Sequence, residues 1–188
     1  MKLFTTALFV LTFFVVVNNT ANAQTITLSA TESATPATEP ASIHYDFPYP
    51  GILPNHPLYM IKVARDHFVG FLINDPIKKA EFNLLQSDKK MFAAQLLFGD
   101  ESDQLGVDTL SKSNNYMHHA ISDAINAHGV KPTASQDIIG KIALSITKHK
   151  EAIKILLKED TEQKKSLQGE LKRLETIEKY YFESFSKK

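Results

Sequence analysis

Two carboxylates and four histidines are the residues of this chain best placed to do chemistry. Glu81 and Asp88 stand two helical turns apart, so on a helix they share one face. Leu84, Leu85, Met91, Phe92 and Leu96 mark that face as apolar. A carboxylate buried there without a partner is costly. The pair could serve as general acid and base or hold a metal. The expectation is instead structural: Lys62 and Arg65 of the preceding helix pair with Glu81 and Asp88, fixing register more than adding stability. No catalytic residue is assigned.

The histidines offer a second chemistry. His118, His119, His128 and His149 all lie late in the chain, and Asp123 follows His119 by one helical turn. His119 and Asp123 could grip one ion, with His149 arriving from another helix. His118 and His128 differ by about 80° in direction and about 15 Å along an axis, too far to chelate together. Zinc signatures are spaced more tightly. The alternative function is therefore metal binding or sensing, with zinc or copper on His118, His119, Asp123, His128 and His149; the leading expectation has no cofactor. Asp100-Glu101-Ser102-Asp103 lacks the ligand ladder of an EF-hand and reads as a solvated loop. No phosphate loop, nucleophile elbow, His-Glu-x-x-His or dinucleotide fingerprint is present, which points away from an enzyme.

Helices must position these residues. The first runs from about Pro57 to Ile73, is apolar on most sides and so reads as buried. Asn74-Asp75-Pro76 makes a corner in which Asp75 caps and Pro76 opens the second helix. That helix ends near Phe98, before the acidic loop Gly99 to Gly106. The third spans about Val107 to His128, stopped by Gly129 and Pro132. The fourth starts near Thr133, with Gln136 completing a capping box, and carries the stripe Ile138, Ile139, Ile142, Ile146, Ile153, Leu156, Leu157. A last stripe holds Leu167, Leu171, Leu174, Tyr181 and Phe185. One helix over residues 133–186 would reach about 80 Å, so a break near Asp160 and Thr161 is expected. Tyr180, Tyr181, Phe182 and Phe185 read as core rather than as a peptide or carbohydrate grip. The fold class is all-α, a bundle of four to five helices.

The start of the chain says where the protein goes. Lys2, the apolar run Leu3 to Val17 and the terminal Ala21-Asn22-Ala23 form a secretory signal peptide over residues 1–23. The apolar run falls short of the roughly 20 residues an anchor needs. Residues 24–43, rich in Thr, Ala, Ser and Pro, form a flexible tether. The helical domain is 44–188. It opens with an extended strap over 44–57, where Pro48, Pro50, Pro54 and Pro57 forbid a helix. Tyr45, Phe47, Tyr49, Ile52 and Leu53 lie along the body in that reading.

Basic and acidic side chains number 21 each, so loss of Lys2 leaves one acid in excess. Such a balance provides no broad field for nucleic acid or anionic lipid. Cysteine is absent, which excludes disulfides, a lipoprotein anchor, a catalytic thiol and thiolate metal sites.

Tyr45-Asp-Phe-Pro-Tyr-Pro-Gly-Ile-Leu-Pro-Asn-His-Pro-Leu-Tyr-Met-Ile-Lys, followed by Asn74-Asp-Pro-Ile-Lys-Lys-Ala-Glu and Asp88-Lys-Lys, resembles a family of exported prokaryotic helical domains of unknown function. Its members show Leu-Pro-x-x-Pro-x-Tyr-x-x-Lys, then Asp-Pro-x-Lys-x-Ala-Glu, then Asp-Lys/Arg-Arg. The likeness covers residues 45–98; Lys90 replaces the usual Arg. It implies export, an all-helical fold and a prokaryotic source, and brings no substrate or catalytic residue.

The expectation is thus an exported, non-enzymatic helical domain, periplasmic or extracellular. It would bind or scaffold a protein or polymer of the cell envelope or its surroundings. It would engage no nucleic acid, carry no transmembrane anchor once the signal is cleaved, and have helix faces through which it could self-associate.

Overall fold

A carboxylate and a proline set the first firm boundary in the molecule. In the computed structural model, Asp75 Oδ1 accepts from the backbone N–H groups of Ile77 and Lys78 at 3.0 and 3.1 Å. Two of the donors a helix start leaves bare are thereby satisfied. Pro76 then opens the helix, as its fixed φ favours. The structure describes residues 45–98, 102–159 and 162–186. The expected signal peptide (1–23) and tether (24–43), with His44, Gly99, Asp100, Glu101, Asp160, Thr161, Lys187 and Lys188, lie outside the described residues. The chain divides into Met1–Ser42 and Ile43–Lys188, and everything described belongs to the second unit.

Among the described residues five helices follow the strap: α1 Tyr59–Leu72, α2 Pro76–Phe98, α3 Asp103–Val130, α4 Gln136–Leu156 and α5 Lys164–Phe185. The all-α bundle is therefore observed, and the chain after α4 leaves the helix rather than running straight into α5. Small residues let α2 and α3 approach closely, making theirs the most extensive helix pair. At their crossing Ser87 Oγ donates to Ser113 O (2.9 Å) and Ser113 Oγ to Ser87 O (2.8 Å). Ala80, Met91 and Ala94 of α2 and Met117, Ala120 and Ala124 of α3 are buried beside that crossing. α4 lies against α2 and α3, and α5 against α3 and α4. The isoleucine stripe of α4 and Leu167, Leu174, Ile177 and Tyr181 of α5 complete the core. Asn114 Nδ2 ties α3 to α5 through Glu170 O and Oε2, at 3.1 and 2.8 Å.

Three local expectations are corrected. α3 begins at Asp103, so Gly106 is helical and buried rather than the end of the acidic loop. α4 begins at Gln136 with no side-chain cap. The hydroxyl of Ser135 instead donates to Pro132 O and meets His128 Nδ1, so the Thr133–Gln136 box does not form. Of the C-terminal aromatics, Tyr181 is buried and Phe185 packs on the core, whereas Tyr180 and Phe182 are exposed.

The largest correction concerns α1, which has no buried residue. It rests on the bundle through a narrow strip. Gly70 comes so near α2 that a Cβ there would stand 2.9 Å from Phe82 Cε1. Apolar composition predicted a buried helix, but composition cannot say whether a partner exists to cover the face.

Candidate functional site

Asp88 sits on the inner face of α2 and gathers one polar side chain from the strap and two from α4. Tyr45 OH donates to Oδ2 at 2.5 Å. Ser145 Oγ donates to Oδ1 at 2.6 Å, and His149 Nε2 meets the same oxygen at 2.8 Å. With the carboxylate as acceptor, the imidazole proton sits on Nε2. Nδ1 is then buried without a partner, and the ring meets Phe47 edge-on at 5.2 Å. Burial, then the Asp88 charge and the hydrogen bond to it, push the Tyr45 phenol well above its ordinary range, with Ser145 partly offsetting.

Ser, His and Asp are thus together, but in the wrong order for a nucleophile. A serine is activated when its hydroxyl gives its proton to the imidazole and the acid orients that imidazole. Here the Ser145 hydroxyl goes to the acid. Asp88 is a shared acceptor at the junction of strap, α2 and α4, and it closes Tyr45 and Phe47 onto the bundle.

The expected ion pairs are corrected by this arrangement. Asp88 is answered by Tyr45, Ser145 and His149, not by Lys62 or Arg65. Glu81 is exposed on α2. Lys62 Nζ donates to Pro50 O at 2.8 Å and Ile52 O at 3.5 Å, pinning the strap to α1. Burial lowers its pKa. Arg65 pairs with its neighbour Asp66 at 2.7 Å. The register that would bring α1's cations to α2's acids fails because α1 turns Tyr59, Asp66 and Gly70 toward the bundle instead.

The metal candidates are dispersed. His118 stacks on Tyr180 with centroids 5.4 Å apart, and His119 meets His118 edge-on. Asp123 accepts from Asn83 Nδ2 at 2.7 Å. His128 bonds Ser135, and His149 is inside the bundle on Asp88. Among the described residues no three His, Asp or Glu side chains come together as a metal site. The sequence reading named Asp88 and His149 but did not join them, and it passed over Ser145. A signal existed: His149 lies on the Ile142, Ile146, Ile153 stripe, and an imidazole there must find a partner.

The other candidate is the outer face of α1. At 100° per residue, Met60, Ile61, Ala64, Phe68, Phe71 and Leu72 fall within an arc of about 120°. All six are exposed; Phe71 is 82% accessible and Met60 71%. Solvated patches of this kind mark contact sites. Beside the arc, the strap and α1 enclose an open groove of about 430 Å³. Tyr49, Ile52, Leu58 and Ile61 give it apolar walls, and Lys62, Arg65 and Lys89 give it a basic edge. Gly51 makes the groove's turn, its φ of 72° being one that side chains disfavour. Tyr49 and Ile52, expected on the body, instead line this groove, half or more open to solvent in the case of Tyr49. Beneath α1 lies Lys90, its Nζ 3.4 Å from Tyr59 OH and 5.2 Å from the Tyr116 ring centroid. Burial first, and then Lys62 and Lys112, lower its pKa to about 8, against a raising contribution from Asp66.

Among the described residues no helix is long and apolar enough to cross a membrane. Comparison with protein-family models, with curated proteins and with solved structures finds no match to this chain.

Proposed function

We propose that this is an exported, non-enzymatic binding module of the cell envelope or its surroundings, and that the outer face of α1 is its contact surface. One observation carries the reading: α1 holds a continuous apolar arc and buries none of it. Leaving Phe68 and Phe71 in water gains nothing for the fold, since apolar surface stabilises only when it is covered. Export rests on the leader Met1 to Ala23. The non-enzymatic reading is supported by the direction of the Ser145 hydroxyl, which bonds the acid and not the imidazole.

The test is fractionation of the native host expressing either the parent chain or Phe68→Glu/Phe71→Glu. The parent is expected in the envelope fraction, and the double variant released from it with an unchanged melting temperature. Identical partitioning of the two would contradict the assignment.

A further inference from the structure

We propose that the partner of the α1 face is the surface of an anionic lipid bilayer, with α1 lying in the interface and the basic groove receiving headgroups. The inference rests on the contact-surface reading above and names its occupant. An interfacial helix needs an apolar face that enters the acyl boundary and cations at the level of the headgroups. α1 has both. Arg65 and Lys62 follow directly on the edge of the arc, at about 20° and about 80° beyond Leu72, and Lys89 joins them from α2.

Arg65 and Lys89 are the headgroup cations. Lys62 is engaged with the carbonyl oxygens of Pro50 and Ile52, so it builds the groove rather than binding within it. The Arg65 side chain is 66% accessible despite its bond to Asp66. No carboxylate is among the described residues lining the groove. The chain's overall neutrality therefore conceals a local basic edge beside the apolar arc.

Charge also argues against a second copy as occupant. A two-fold interface must be self-complementary. Antiparallel pairing of two α1 arcs would set the Arg65–Lys89 edge against itself. Parallel pairing would set it against the His67 edge, where Lys79 stands. The acid on the His67 edge, Asp66, already pairs with Arg65 of its own chain, whereas phosphate or glycerol-phosphate headgroups bring negative charge of their own.

The test is flotation of residues 24–188, which keep the whole Ile43–Lys188 unit, with two vesicle preparations. One is phosphatidylcholine alone and the other is phosphatidylcholine with phosphatidylglycerol. Flotation with the anionic vesicles only is expected, falling as salt rises. Arg65→Gln and Lys89→Gln should each weaken it about fivefold, as one cation near a charged surface would. Phe71→Glu should abolish it while leaving the circular dichroism unchanged, and Lys172→Gln on α5 should have no effect. Equal flotation with both preparations, or none with either, would overturn the lipid assignment. So would a solution dimer dissolved by Phe71→Glu, which would make a second copy the occupant. If vesicles are ignored but the double variant still leaves the envelope fraction, the contact surface stands and only the lipid falls. If neither moves, both fall.

Discussion

Asp88 shows how one buried side chain can hold three segments together. Its two oxygens take donors from Tyr45, Ser145 and His149, and each donor would be stranded without it. Asp88→Asn replaces one acceptor oxygen with a donating NH2 amid those donors. It should cost about 3 kcal/mol, in the range for breaking a buried charged network, read as a fall in the urea midpoint. Tyr45→Phe removes one bond and keeps the ring, and should cost about 1.5 kcal/mol. Lys90 makes the opposite kind of prediction. Its folded pKa, about 8, lies below the ordinary 10.5, so the unfolded chain binds its proton more readily. Lys90 therefore weakens the fold below about pH 8, and stability should rise between about 8 and 10 as that cost is relieved. Above 10, Tyr45, Tyr59 and Tyr116 act in the reverse sense, because burial holds their phenols protonated in the fold. Lys90→Met should raise the melting temperature at pH 7 and flatten the rise; an unaltered pH profile would contradict the burial argument. The sequence placed Asp88 on an apolar face, but its partners lie 43, 57 and 61 residues away. Pairing across such separations is decided by how helices pack, which spacing within one helix cannot reveal.

At the scale of the element, periodicity carried most of the information. The stripes of α4 and α5 are buried or, at Leu157, Leu171 and Phe185, half-buried against the core, because an apolar face at 3.6-residue period has one stable destination when neighbours are available. α1 is the exception. Its apolar residues outnumber the rest, yet among the described residues no helix covers its outer arc. α1 also tests how loosely an element can be attached. Gly70 is the point of closest approach to α2, so Gly70→Ile must push α1 off Phe82. The prediction is faster amide exchange across residues 60–72 with the exchange of α2 to α5 unchanged. A uniform increase through all five helices would mean that α1 is part of the core.

At the scale of the molecule, the strap, the bundle and α1 have separate tasks. The bundle supplies rigidity, Asp88 closes the strap onto it, and Lys62 joins strap to α1 to shape the groove. In the proposed exported reading this unit works outside the cytoplasm, with α1 as the face available to a surface. Helix order was legible from the stripes and corners, and the count to within one, four or five. The proposed contact face was not, because it is set by which neighbours are lacking among the described residues, and periodicity does not report that.

The most direct measurement is photo-cross-linking in the native host, with the reactive side chain placed at Phe71 or, on the far helix, at Lys172. Strong adducts from position 71 and none from 172 are predicted. Adducts from 172 alone, or none from 71, would contradict the assignment of α1 as the contact face.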